Sequence, residues 1–364
     1  MFDWIPLQYY TAIHYHVLLF LGLLIIMHSL QYSVKDQRSI QFFNSLGYIV
    51  ITILIFYMGL RPISGVYFGD TANYAVLYRS MQEGATILIK KDYLFNYFML
   101  WCSKFLTVHQ FYVLLDILYV LPCVFFSRKY FESYWFYAMF LFMASFSFWS
   151  YGTNGLRNGL GTSFFILGLC FYSTKIWMYV FFVLSYFMHA SLIIPIVGFA
   201  AAGFYRNPKL YLLIWLSAIP LSLIGGSSWT SFFASLGFEE ERTAGYLTGG
   251  EQFLDKFSQT GFRWDFLFYS AAAVFAGWYF IFKKGITDSF YIHLFGVFCI
   301  TNAFWILVIT AAFSNRFAYL SWFLMPVIIA YPMFRYKIWN DQYKIFAIIL
   351  FSYFMFTYFM NVIL

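Results

Sequence analysis

Long apolar runs separated by short charged connectors organise almost the whole chain. A helix that crosses a bilayer needs about 20 mostly apolar residues. Runs of this kind, several of them shorter, fall at roughly 12–32, 42–60, 110–127, 134–151, 155–174, 176–188, 190–205, 210–226, 264–282, 288–312, 317–334 and 345–364. The pattern predicts an all-α, polytopic membrane bundle of about twelve transmembrane helices, forming a single membrane domain over 1–364. The sixth and seventh runs meet at Met188-His189-Ala190 and read as a tight hairpin or one broken helix. Two longer, more polar segments, 61–109 and 227–263, interrupt the pattern as external loops. Within the first, Gly69-Asp70-Thr71-Ala72-Asn73-Tyr74 reads as an N-cap opening a short helix. Tyr93 to Phe105 is an aromatic amphipathic stretch suited to the membrane interface. The second carries Glu239-Glu240-Glu241-Arg242 between two glycine pairs. The first apolar run has no basic region before it and no small-residue cleavage site after it. It reads as a span and not as a signal peptide.

Composition sharpens this picture. Apolar residues make up 62% of the chain and charged residues 10%, with 50 Phe, 32 Tyr and 12 Trp. A soluble protein of this length has no core able to hide that much apolar surface. A soluble enzyme, a nucleic-acid-binding domain and a disordered chain are excluded. The net charge of +7 is therefore read by side of the membrane. With the N-terminus outside, the short inside connectors hold Lys35, Arg38, Arg128, Lys129, Lys175, Arg206, Lys209, Lys283, Lys284, Arg335, Lys337 and Lys344, against Asp36, Glu132, Asp288 and Asp341. That asymmetry predicts both termini outside. The four cysteines are scattered and form neither a disulfide framework nor a metal signature. No glycine-rich phosphate loop follows a strand, so a nucleotide-driven pump is not indicated.

The candidate chemistry gathers on one predicted face. Asn154-Gly155-Leu156-Arg157-Asn158 opens the fifth span from outside, His189-Ala190-Ser191 the seventh, and Ser314-Asn315-Arg316-Phe317-Ala318-Tyr319 the eleventh. A helix N-terminus carries about half a positive charge, so an arginine in its first turn is disfavoured unless an anion offsets it. Phosphate suits both a helix N-terminus and a guanidinium fork. Arg157 and Arg316 thus predict an anionic ligand at the outer boundary, although each could also snorkel to lipid headgroups. Asp70 reads as a cap or a base, and Tyr74 and Tyr78 as interface aromatics or sugar platforms. His189 reads as a hairpin-tip residue or a base, since histidine ordinarily titrates near neutrality. His14 and His16 lack a third metal ligand and read as interfacial. Asp116 lies inside a span and needs an interior partner that the sequence does not name. No metal site and no cofactor are predicted.

In this order, Asp70-Thr71-Ala72-Asn73-Tyr74, Asn154 through Arg157-Asn158, His189-Ala190-Ser191 and Asn315-Arg316 through Tyr319 resemble the EpsG family of membrane proteins, related to the Wzy polysaccharide polymerases. The likeness covers about residues 10–335. The family more often has Arg-Gln where this chain has Arg157-Asn158, and the shorter amide reaches less far. The resemblance implies a GT-C-like fold and a polymerase of undecaprenyl-diphosphate-linked oligosaccharides at the outer face of the bacterial cytoplasmic membrane. Its partners would be those lipid-linked glycans, the bilayer and a chain-length regulator, with no nucleic acid. On that reading Arg157 and Arg316 stabilise the leaving diphosphate, with Arg242 as a third contact, and His189 or Asp70 serves as base. Asn154, Asn158, Ser191, Asn315, Tyr319, Tyr74, Tyr78 and Tyr246 would line the glycan site. Competing readings are a lipid-linked sugar flippase, an O-antigen ligase-type transferase and a membrane acyltransferase using His189. The absence of an internal repeat and the position of the polar motifs at one face, away from the midplane, favour the polymerase over a transporter.

Overall fold

The computed structural model describes residues 2–85, 89, 91–235, 261–311 and 313–364. Among the described residues every regular element is a helix. In chain order these are α1 (Leu7–Gln31), α2 (Gln37–Gly59), α3 (Gly65–Phe68), α4 (Thr71–Gln82), α5 (Tyr93–Ser103), α6 (Val108–Phe131), α7 (Trp135–Ala144), α8 (Phe146–Thr153), α9 (Leu156–Cys170) and α10 (Lys175–Met188). They continue as α11 (Ile193–Phe204), α12 (Pro208–Gly225), α13 (Ser227–Ser235), α14 (Trp264–Trp278), α15 (Ser289–Leu307), α16 (Asn315–Trp322), α17 (Met325–Arg335) and α18 (Gln342–Tyr358). In lipid a backbone must satisfy its own hydrogen bonds, and helices do so within one segment.

Eight helical stretches among the described residues are long and apolar enough to cross a membrane. They account for the apolar runs at both ends of the chain. The middle is divided more finely than hydropathy predicts. The run at 134–151 breaks at Ser145, whose backbone is extended (φ −69°, ψ 143°). The run at 155–174 yields a helix of 15 residues, about 22 Å long against a hydrocarbon core of about 30 Å. The helices over the next two runs are 14 and 12 residues. Hydropathy reads composition, whereas extended residues and glycines inside an apolar run set where a helix stops.

The backbone forms two compact units, Met1–Leu192 with Met333–Leu364, and Ile193–Pro332. In the first unit, one end holds the connectors 32–36, 132–134 and 336–341. Asn44 there donates to the Ser133 carbonyl at 3.2 Å, Arg335 pairs with Glu132 at 3.2 Å, and Lys35 lies over the Tyr343 ring. At the opposite end Tyr10 and Tyr57 stack and exchange hydroxyl-to-carbonyl bonds of 2.6 and 2.8 Å. This end carries α3, α4, α5 and the α8–α9 junction.

The second unit is polarised in the same way. Arg206, Lys209, Lys283 and Lys284 sit at the end where His293 meets the Phe199 carbonyl at 2.8 Å. The N-terminus of α16 lies at the other end. There Phe233 packs on Phe304, and Phe304 on Phe317.

Candidate functional site

The first unit brings four sequence segments together. The first is the loop entering α4. Gly69 adopts φ 51°, and a Cβ there would strike the Asn154 carboxamide. Glycine is what lets the two chains approach. Asn154 Oδ1 then accepts from the Asp70 amide at 2.8 Å. Asp70 occupies the N-cap position of α4 as predicted, but its carboxylate makes no capping bond. Its Oδ1 instead accepts from Asn73 at 3.4 Å.

Thr71 fixes this loop from below. Its hydroxyl donates to the Thr153 carbonyl, and its carbonyl accepts from the Tyr112 hydroxyl at 2.7 Å. Arg61 Nη2 donates to the Thr71 hydroxyl oxygen at 3.3 Å. Arg61 is wholly buried, pairs with Asp116 at 3.4 Å, and lies 4.9 Å from the Tyr112 ring centre. The partner that Asp116 required is therefore an arginine just beyond α2.

The second segment is the start of α9. Arg157 Nε donates to the Tyr74 hydroxyl at 2.8 Å, with the guanidinium carbon 5.7 Å from that ring's centre. Arg157 Nη1 donates to Asp92 Oδ2 at 2.6 Å, a short charge-assisted bond. The anion that the sequence reading required beside Arg157 is thus supplied in part by the chain. The arginine side chain keeps 27% exposure.

The third segment is Asp92 itself, and the fourth is the 189–191 turn. Asp92 Oδ1 accepts from the Ala190 amide at 3.0 Å. His189 has an extended backbone between α10 and a short 3-10 turn. Its Nδ1 lies 2.7 Å from the Ser191 hydroxyl, which donates to Asn158 Oδ1 at 2.9 Å. The Ser191 amide also donates to His189 Nδ1, at 3.3 Å.

Other predicted residues take different places. Tyr78 is fully buried, stacks on Phe111 and donates to the Leu106 carbonyl at 2.9 Å. Burial pushes its phenol up to about 12. Its ring is core, which corrects its assignment as a sugar platform. His14 is buried and stacks on Trp149, while the exposed His16 meets the Tyr358 hydroxyl at 3.0 Å. His14 therefore faces the protein interior. Arg242, Tyr246 and the Glu239-Glu240-Glu241 run lie outside the described residues.

In the second unit, Arg316 sits in the first turn of α16, half-buried, with its guanidinium carbon 5.3 Å from the Phe313 ring centre. Phe313 adopts φ 54°, a conformation that is costly for a bulky residue. Asn315 donates to the hydroxyl of the buried Tyr319 at 3.1 Å. Two turns on, α16 is tied into a buried polar set. Asn302 donates to Ser270 (3.1 Å) and Ser321 (2.9 Å) and accepts from Trp215 (2.7 Å), and Trp322 donates to Ser270 (2.7 Å).

Asp92, Arg61 and Asn302 went unread in the sequence. Asn302 had a signal, a lone amide in an apolar run. Asp92 had none, since Lys90-Lys91-Asp92 looks like a solvated charged turn.

A family model for the EpsG family matches residues 44–364. Neither the curated proteins nor the solved structures contain a match.

Proposed function

The chain belongs to the EpsG family, and from that premise we propose that it polymerises lipid-linked oligosaccharides by glycosyl transfer. The substrate class is undecaprenyl-diphosphate-linked repeat units, the setting the outer face of a bacterial cytoplasmic membrane, and the scaffold of GT-C type. A hydroxyl of one repeat unit attacks the anomeric carbon of another. The bond from that carbon to the diphosphate oxygen breaks, and the hydroxyl proton passes to a base.

One observation carries this reading. Arg157, Asp70, Asn154 and the His189-Ser191-Asn158 chain converge at one end of the first unit, and the basic connectors occupy the other. By the positive-inside rule the basic end faces the cytoplasm and the site faces outward. A diphosphate leaving group gains charge as its bond breaks, so a preorganised guanidinium lowers the barrier most at the transition state. Arg157 is held on two sides and still reaches water, and we assign it this role. His189 takes the proton, Asp70 being the second candidate. Tyr74, Asn154, Asn158 and Ser191 shape the glycan site.

The test is a gel ladder of surface polysaccharide from cells lacking this gene, complemented with wild type or Arg157→Ala. The Ala variant should reach the membrane, abolish the ladder and leave a single-repeat band. A ladder of wild-type length refutes the role of Arg157. Loss of every band, with lipid-linked repeats trapped inside, points to a flippase instead. Arg157→Lys keeps the charge but not the planar fork, and should lose most polymer.

A further inference from the structure

We propose that Asp92 is a positioning residue of this site, aiming the Arg157 guanidinium and tying it to the turn that carries His189. The proposal rests on the reading of Arg157 as the contact to the leaving diphosphate.

The geometry is specific. Asp92 is 6% exposed, and both carboxylate oxygens are engaged, Oδ2 by Arg157 Nη1 at 2.6 Å and Oδ1 by the Ala190 amide at 3.0 Å. One side chain thus joins the start of α5, the start of α9 and the 189–191 turn. Its own backbone is in the left-handed region, φ 49° and ψ 48°, which aspartate tolerates better than most residues. That backbone is pinned. The Asn96 side chain donates to the Lys91 carbonyl at 2.8 Å and to the Asp92 carbonyl at 3.2 Å, and the Asn96 amide donates to the Asp92 carbonyl at 3.1 Å. A residue in a sparsely populated conformation, over-determined by its surroundings, is a common sign of a functional position.

Electrostatics give the carboxylate its task. Arg157 is the second residue of α9, where the helix dipole repels a cation. Tyr74 gives it a neutral hydroxyl, which fixes one edge of the fork. The Asp92 carboxylate holds Nη1 against the pull of solvent and sets the plane of the guanidinium. A bond aimed within a fraction of an ångström governs the transition state more than it governs ground-state capture of a large lipid-linked substrate. Loss of Asp92 should therefore lower turnover and leave the apparent affinity almost unchanged.

Asp92→Asn isolates this effect. Asparagine is at home in the left-handed region, and its carbonyl still accepts from the Ala190 amide. The charge opposite Arg157 is gone. Polymerisation is measured in membrane fractions given lipid-linked repeat units extracted from cells lacking the gene. The expected result is at least a tenfold fall in kcat with KM within twofold of wild type. Guanidinium chloride at millimolar concentration should partly restore Arg157→Ala, and should fail to restore Arg157→Ala combined with Asp92→Asn. If Asp92→Asn does not accumulate, Asp92→Glu carries the test. It keeps the charge and displaces the carboxylate by one methylene, and should show the same loss of kcat.

An Asp92→Asn enzyme with wild-type kcat beside an inactive Arg157→Ala enzyme overturns the positioning role and leaves the reading of Arg157 intact. Guanidinium rescue that is equal in the two backgrounds overturns it also. Full activity in Arg157→Ala alone overturns the reading on which it rests.

Discussion

His189 and the Arg61–Asp116 pair are single-residue features with different consequences. His189 sits in a relay with Ser191 and Asn158, and a general base contributes about 10²- to 10⁴-fold. His189→Ala should lower turnover by about 100-fold or more with the protein still in the membrane. Single-turnover assays on lipid-linked repeats decide this, and a loss below about fivefold would mean that the ring only positions sugar. Arg61 and Asp116 act through the loop beside the site. Both side chains are buried, and through Thr71 they anchor the loop that presents Asp70 and Tyr74. Removing one member of such a pair strands the other charge, at a cost of about 3–5 kcal/mol. Arg61→Met and Asp116→Asn should each lower the melting temperature in detergent sharply. The double substitution should do less damage than either alone, and an additive effect would show that the two do not depend on each other. The sequence flagged Asp116, because an acid within a span demands an explanation. It did not flag Arg61, because an arginine next to a span end and a polar loop looks solvated. Only the fold brings residues 55 positions apart into contact.

Elements were legible to different degrees. The segment 61–109 was read as a short helix followed by an interfacial one, and α4 and α5 stand there. In α5 the alternation decides the outcome. Phe95, Met99 and Cys102 are buried, whereas Tyr93, Tyr97 and Trp101 form an exposed stripe at helical spacing. An aromatic stripe of this kind settles at headgroup depth. All four native cysteines are buried, so a single cysteine at Tyr97 can carry a spin label. Its quenching should be stronger by a lipid-soluble reagent than by an aqueous one, and the reverse order would detach α5 from the bilayer. The long outer spans were equally legible, because a run of 20 apolar residues has few alternatives. The stretch 134–205 was legible in part, since its joints near Asn154-Gly155 and at His189 fall between apolar runs, whereas the break at Ser145 lies inside one. Apolar composition cannot say where a chain bends within a run, but the two joints that it does mark are the ones that deliver the site residues.

At the scale of the whole molecule, both units sort charge along their length. Lys35, Arg128, Lys129 and Arg335 lie at the end of the first unit away from Arg157, and Arg206, Lys209, Lys283 and Lys284 at the end of the second away from Arg316. The resemblance to EpsG proteins implies an outer face for the site, and the positive-inside rule assigns the basic connectors to the other side. Short loops carry that signal, and those connectors are short. The buried native cysteines again allow a direct check. Lys35 and Glu83 are exposed at opposite ends of the first unit, and Lys209 and Ser228 at opposite ends of the second. With single cysteines at these positions, a membrane-impermeant maleimide added to intact cells, their outer barrier opened, should label Glu83→Cys and Ser228→Cys. Lys35→Cys and Lys209→Cys should label only after the cytoplasmic membrane is breached. The reverse pattern in the first unit would turn Arg157, Asp92 and His189 toward the cytoplasm. There they would meet repeat units before export, and a polymerase acting on the outer face would be ruled out whatever the individual substitutions do.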